Sequence, residues 1–166
     1  MKLLILVTRL LLGGLFVGHG AQKLFGWFGG FGPDGTGGWL ESLGVKPGRQ
    51  NAMAAGAAEM GGGGLLALGL ATPAAAAAIT GVMTTAIRTV HQPNGPWVTD
   101  NGWEYPAVII GTVLAITEIG PGSLSLDAAL GTEHSGTGWA LAALAGGAAA
   151  SAALLRDWER PPQQSA

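Results

Sequence analysis

Residues 3–21 of the chain read LLILVTRLLLGGLFVGHGA, an almost unbroken apolar run. An α-helix needs about 20 mostly apolar residues to cross the hydrocarbon core of a bilayer. Arg9 is the one formally charged residue in the run. A cleavable secretory signal is the alternative for an apolar N-terminus. Arg9 inside the run, and the polar and aromatic residues that follow it, favour a permanent membrane helix.

The composition of the whole chain agrees with a membrane protein. The 166 residues predict a single domain, and only 11% of them are charged, against roughly a quarter in soluble domains. Mean hydropathy is +0.39, which excludes a disordered chain. The net charge of −2 argues against nucleic-acid binding. The absence of cysteine excludes thiol redox chemistry, disulfides, thiolate metal sites and iron–sulfur clusters on this chain.

Four further stretches have the apolar character of membrane helices, at residues 52–71, 74–90, 105–119 and 139–155. They predict an all-α, polytopic membrane helix bundle with a four-helix core and a fifth, C-terminal helix. Residues 1–155 form one domain in this interpretation, and 156–166 form a polar tail. Gly14 and Gly18 form a GxxxG pair on the first helix, which is typical of tight helix packing.

Five spans place the two termini on opposite sides of the membrane. Lys46, Arg49, Arg156 and Arg160 then share the side opposite the N-terminus, which itself carries Lys2. The positive-inside rule predicts an outer N-terminus and a cytoplasmic C-terminus.

Helix direction gathers ionisable residues at one end of this bundle. His19 and Lys23 are four residues apart on the first span, and Arg88 and His91 are three apart on the third. Each pair is expected to share a helix face. Glu104 begins the fourth span at the same end, and Glu59 lies about 10 Å below that level. The sequence predicts a cationic pocket with two carboxylates, which suits either a functional cavity or a structural lock between helices.

The loop after the first span contains the aromatic stretch FGWFGGF at 25–31. Its aromatic side chains are expected to lie at the level of the lipid headgroups. Alternatively, Trp27 and its neighbours cover the polar pocket, where a flat ring such as a quinone would stack. Trp39, Leu40 and Leu43 predict a short interfacial helix.

At the opposite end, Arg9 and Glu118 come to similar depth, with Asp127 just beyond. We expect a structural ion pair between Arg9 and one of these carboxylates. The carboxylates show no metal-ligand spacing, so no metal site is predicted. Haem held by His19 and His91 is geometrically allowed and disfavoured, because histidines near an interface more often serve structural hydrogen bonds.

Several blocks of sequence together resemble the DoxX family. They are HGAQKLFGWFGG at 19–30, Ala58 and Glu59 before a glycine run, GWEYP at 102–106 and GPGSLSLD at 120–127. The resemblance covers residues 3–129 and implies a small bacterial plasma-membrane protein with a four-helix core. Some relatives are subunits of a thiosulfate:quinone oxidoreductase, and others belong to a mycobacterial membrane complex for oxidative-stress defence.

The resemblance implies a quinone-linked role in which a soluble or membrane partner supplies the redox centre. Candidate catalytic residues are His19, Glu59 and His91, with imidazole and carboxylate moving protons. Candidate ligand-binding residues are His19, Lys23, Trp27, Glu59, Arg88 and Glu104, whose cations would stabilise negative charge on a quinone oxygen. The alternatives are a non-catalytic scaffold for soluble redox enzymes and a small-solute carrier. A homo-oligomer is compatible with each of these.

Overall fold

The structure is a computed structural model that describes residues 2–161, and it contains no β-strand within that range. Seven α-helices follow one another: α1 (Lys2–Phe25), α2 (Gly32–Ser42), α3 (Gly48–Leu68), α4 (Thr72–Ala86), α5 (Glu104–Ile119), α6 (Leu126–Leu130) and α7 (Thr137–Leu154). The predicted all-helical fold is confirmed. Residues 162–166 of the predicted polar tail and the side chain of Lys2 lie outside the part that the structure describes.

Shorter helical turns connect some of these elements. A 3₁₀ turn, Trp27–Gly29, separates α1 from α2. The last turn after α4 is a π-turn, Ile87–His91, and two more 3₁₀ turns, Gln92–Asn94 and Val98–Asp100, lead to α5. The short helix predicted around Trp39 is α2, and α6 was not predicted.

The long helices alternate in direction, so one end of the bundle collects the C-termini of α1, α4 and α7 and the N-termini of α3 and α5. We call this the histidine end, because His19 and His91 both lie there. α1 packs along α3, α4 packs between α3 and α5, and α7 packs on α4 and α5. The buried core draws on α1, α3, α4, α5 and α7, with Phe16, Leu66, Ile79, Val113 and Ala143 among its members.

Glycine allows the close contact between α1 and α3. A Cβ atom on Gly20 would lie only 2.6 Å from the carbonyl oxygen of Gly56, so the two backbones touch at a point where any side chain would collide. The predicted packing role of Gly14 and Gly18 is wrong within this chain. A Cβ atom on either glycine would meet nothing within 4 Å, because both lie on the face of α1 that points away from α3.

Two segments, Leu3–Phe25 and Thr137–Leu154, are long and apolar enough to cross a membrane by length and composition. Only 22% of the most apolar window in each segment is buried, so the apolar side chains point outward rather than into the core. Of the five predicted spans, the first and the fifth thus meet this test of length and hydropathy. α4 and α5 have 15 and 16 residues, which is short of a full span, and glycine and polar residues dilute α3.

Candidate ligand-binding site at the histidine end

An ion pair joins α1 and α3 near the histidine end. The Nζ atom of Lys23 lies 2.6 Å from Oε2 of Glu59. Glu59 is only 4% exposed, and a buried carboxylate is costly unless a cation balances it. Nζ of Lys23 is thus the partner of Oε2, and the remaining lone pairs of the carboxylate can accept from a further donor. Glu59 is therefore balanced in charge and still open to a donor.

Glu59 lines a cavity of about 170 Å³ that lies between α1, α3, α4 and α5. His19, His91 and Tyr105 share this cavity with the carboxylate. Its apolar wall includes Leu12, Leu15, Phe16, Met83 and Ile109. Small-molecule sites commonly combine apolar walls with a few convergent polar groups, and this cavity has that composition.

A hydrogen-bond chain fixes the imidazole of His19 at the cavity mouth. The Nε2 atom of Gln22 donates to the carbonyl oxygen of Phe28 at 3.3 Å. This orients the Oε1 atom of the same amide toward Nδ1 of His19, 3.1 Å away. Because Oε1 only accepts, Nδ1 of His19 carries the proton. The Nε2 atom of His19 is then the ring nitrogen left for a ligand.

His91 has the same arrangement on the other side of the cavity. Its Nδ1 atom donates to the carbonyl oxygen of Asn101 at 2.8 Å, so this nitrogen is also protonated. Fixing one ring nitrogen in this way sets the tautomer and leaves Nε2 as the acceptor. The structure thus brings together the predicted residues His19, Lys23, Glu59 and His91.

Arg88 lies apart from these residues, although it is three positions from His91. It is half-buried, and its carbonyl oxygen accepts a hydrogen bond of 2.5 Å from Nη2 of Arg160. The reason is the π-turn at Ile87–His91. Its wider turn changes the angle between successive residues, so α-helical spacing no longer places Arg88 and His91 on one face.

Trp27 and Glu104 also lie outside the cavity that the described residues enclose. Trp27 is 57% exposed, and its ring centre lies 4.9 Å from that of Phe25. The Oε1 atom of Glu104 accepts a hydrogen bond of 3.0 Å from the backbone N–H of Val98 and so stabilises the loop before α5. The predicted second carboxylate of the pocket is therefore a loop-stabilising residue.

At the opposite end, the expected ion pair of Arg9 does not form among the described residues. The guanidinium is 1% exposed, and it donates to four carbonyl oxygens, those of Leu66, Ala67, Pro121 and Leu124. Two of these carbonyls belong to the last turn of α3, where backbone acceptors lack helical partners and the helix dipole favours a cation. These carbonyl groups bind the guanidinium, which is why Arg9 pairs with neither of the expected carboxylates.

Asp127 and Glu118, the two expected partners, are used elsewhere. The carboxylate of Asp127 accepts hydrogen bonds from the backbone N–H groups of Ala71 and Thr72 and from the hydroxyls of Thr72 and Thr132, so it caps the start of α4. Burial alone would raise the pKa of Asp127, but these hydrogen bonds hold the pKa below its ordinary value. Glu118 accepts a hydrogen bond of 2.7 Å from the hydroxyl of Thr137.

Two residues of the site were not predicted from the sequence. Tyr105 is the one tyrosine of the chain and lines the cavity, and its place directly after Glu104 at the start of α5 was the available signal. Gln22, three residues after His19, orients that imidazole. Within residues 2–161, no three His, Asp or Glu residues lie close enough to hold a metal ion.

Comparisons with known proteins place the chain in a family. A search of curated proteins and a search of solved structures each found no match. The family model for DoxX matches residues 4–92, a little over half of the 166 residues. The matched stretch includes His19, Lys23, Glu59 and His91, whereas the blocks at 102–106 and 120–127 lie beyond it. The chain is therefore a member of the DoxX family, with a membrane-associated helical domain.

Proposed function

We propose that this protein is a multi-pass membrane subunit that binds the ring of a quinone or its quinol on behalf of a redox partner. The observation that carries the proposal is the convergence of His19 and His91 on the cavity that holds the buried carboxylate of Glu59. We further propose that all five long helices cross a bacterial plasma membrane. The outward apolar faces of α1 and α7 support a membrane placement, and the π-turn that ends at His91 continues α4 to nearly the length of a span.

The size and walls of the cavity suit one flat ring. An apolar protein cavity of about 150 Å³ is enough to hold benzene, and this cavity measures about 170 Å³. Apart from the hydroxyl of Tyr105, which can donate or accept, its polar groups are acceptors when both imidazoles are neutral, namely Nε2 of each histidine and the carboxylate of Glu59. A ligand that fills this set has hydroxyl donors on an apolar ring, which describes a hydroquinone.

The same groups can move the two protons of the reaction. Oxidation of a hydroquinone releases two protons and two electrons. Imidazole commonly serves as a general acid and base, so Nε2 of His19 and Nε2 of His91 can each take one proton, or return it in the reverse direction. Lys23 pairs with Glu59 and balances negative charge on that carboxylate. The electrons pass to the redox centre of a partner protein, because this chain has no cysteine and no evident cofactor motif.

Binding of a small hydroquinone tests the proposal directly. The protein in lipid nanodiscs should bind 1,4-benzohydroquinone, and His19→Ala, His91→Ala and Glu59→Gln should each weaken binding by about tenfold, the loss of one hydrogen bond. His134→Ala is the matched control, because His134 lies at the opposite end and contacts the carbonyl oxygen of Thr132. Helicity and thermal unfolding would confirm that each variant folds.

Turnover by the intact complex gives a second measurement. A preparation with its redox partner should interconvert a soluble quinone and its quinol, and His19→Ala should lower that rate without loss of folding. Co-purification of partner proteins without any hydroquinone binding would instead support a scaffold that docks soluble enzymes at the membrane. Equal binding by wild type and all three cavity variants would remove the proposed residue roles.

A further inference from the structure

A second depression lies on the outer face of α1, directly beside the histidine-end cavity. Its volume is about 300 Å³. We call it the tail groove; its lining consists of Gly14, Leu15, Gly18, His19, Gln22 and Phe28. The tail groove is open to the surroundings of the bundle, whereas the cavity lies between helices.

The two glycines create the tail groove by exposing bare backbone. Neither Gly14 nor Gly18 packs against another element, since an added Cβ atom would meet nothing within 4 Å at either position. Leu15, between them, is 50% exposed. The glycines that α1 needs for packing on α3 lie on its other face, as Gly20 shows. Helix packing within this chain therefore leaves the Gly14 and Gly18 pair unexplained.

The tail groove and the cavity meet at shared residues. Leu15 and His19 line both of them. The buried carboxylate of Glu59, paired with Lys23, lines the same cavity as these two residues. Gln22 and Phe28, joined by a hydrogen bond, bound the groove at the histidine end. Gly14 lies about 6 Å farther from the histidine end along α1 than Gly18, so the groove runs from His19 toward the middle of the bundle.

This geometry fits a molecule with a polar ring and a long apolar chain. We propose that the tail groove holds the apolar chain of a lipid quinol whose ring occupies the cavity, and that the ligand enters from the bilayer past His19. The inference rests on the proposed function. A lipid chain is the proposed occupant because the groove and the cavity share Leu15 and His19, so one molecule can occupy both. A helix from a second copy would have no need of the cavity.

The test compares one ring with and without a chain. The probes are 1,4-benzohydroquinone and the same ring carrying a decyl chain, each bound to the protein in nanodiscs and corrected for uptake by empty nanodiscs. Gly14→Leu and Gly18→Leu should each weaken binding of the decyl probe by about tenfold, because leucine fills the groove. Binding of the ring without a chain should change by less than about twofold. Gly61→Leu is the matched control, since Gly61 on α3 is exposed and a Cβ atom there also meets nothing within 4 Å.

The outcomes separate this inference from the proposed function. Wild-type protein that binds neither probe removes both. Normal binding of the unsubstituted ring, with unchanged binding of the decyl probe in Gly14→Leu and Gly18→Leu, removes the tail groove alone. A dimeric wild type that these variants convert to a monomer, with decyl binding unaffected, shows instead that the groove is an interface between copies.

Discussion

Lys23 on α1 reaches across to Glu59 on α3, with Nζ and Oε2 2.6 Å apart, and Glu59 lines the histidine-end cavity. Gly56 makes room for it. A Cβ atom on Gly56 would lie 2.8 Å from Cγ of Leu24 and 3.1 Å from Cβ of Lys23, so both residues of α1 pack against bare backbone at this point. The ion pair and the glycine contact between α1 and α3 are thus parts of one arrangement.

Removing Lys23 alone should destabilise the protein strongly. Lys23→Met leaves the carboxylate of Glu59 buried without a cation, which typically costs about 3 kcal/mol or more. The double variant Lys23→Met with Glu59→Leu removes both charges and should recover most of that loss. Thermal unfolding in detergent micelles measures each free energy. Losses that simply add would show that the two side chains are not coupled.

Two glycines on α1 should respond in opposite ways to alanine. Gly20→Ala places a methyl group against the carbonyl oxygen of Gly56 and should cost at least about 2 kcal/mol through overpacking. Gly14→Ala enters open space and should stabilise the helix by up to about 1 kcal/mol. The measurement is the unfolding midpoint in micelles. Equal destabilisation by both variants would contradict the placement of these two faces.

Acid should weaken the cap that Asp127 forms on α4. Burial alone would raise the pKa of Asp127, but four hydrogen bonds to its carboxylate lower it further. The pKa is therefore lower in the folded protein than in the unfolded chain. Its contribution to stability is therefore complete above the unfolded pKa of about 4. That contribution is lost as the pH falls through the lower, folded pKa. Asp127→Ala should cost about 1–2 kcal/mol at neutral pH, as a lost N-cap does.

The pH profile of unfolding distinguishes this effect from general acid denaturation. The difference in unfolding free energy between wild type and Asp127→Ala should shrink as the pH is lowered from 6 toward 3. A difference that stays constant over this range would show that the carboxylate's charge is not what caps the helix.

Lysine should not be able to replace Arg9. Arg9→Lys keeps the charge but supplies one ammonium in place of a planar group that reaches four carbonyl oxygens. We expect a loss of about 3 kcal/mol, from carbonyl groups left buried without donors. Arg156→Lys, at an exposed position, is the control and should be neutral. Chemical unfolding in micelles gives both values.

Gly69 should be equally intolerant, for a related reason. It ends α3 with a φ of 62°, and a Cβ atom there would lie 2.6 Å from Cζ of Arg9. Gly69→Ala therefore combines backbone strain with displacement of the guanidinium. We expect it to destabilise the protein by about as much as Arg9→Lys, and the double variant to lose less than the sum. Full additivity would separate Gly69 from the Arg9 site.

The order of the amino acids was enough to predict the helical class, the main helices to within a few residues, and the end at which His19, Lys23 and His91 lie. Hydrophobic runs mark helices, and alternation of direction along the chain assigns residues to an end. The tertiary structure set which side chains contact one another, because these contacts depend on the rotation of each helix about its axis and on the conformation of the loops. The π-turn places Arg88 and His91 on different faces. Arg9 binds carbonyl oxygens in the last turn of α3 and in the loop after α5 rather than a carboxylate. On α1, Gly20 lies on the face packed against α3, whereas Gly14 and Gly18 lie on an open face.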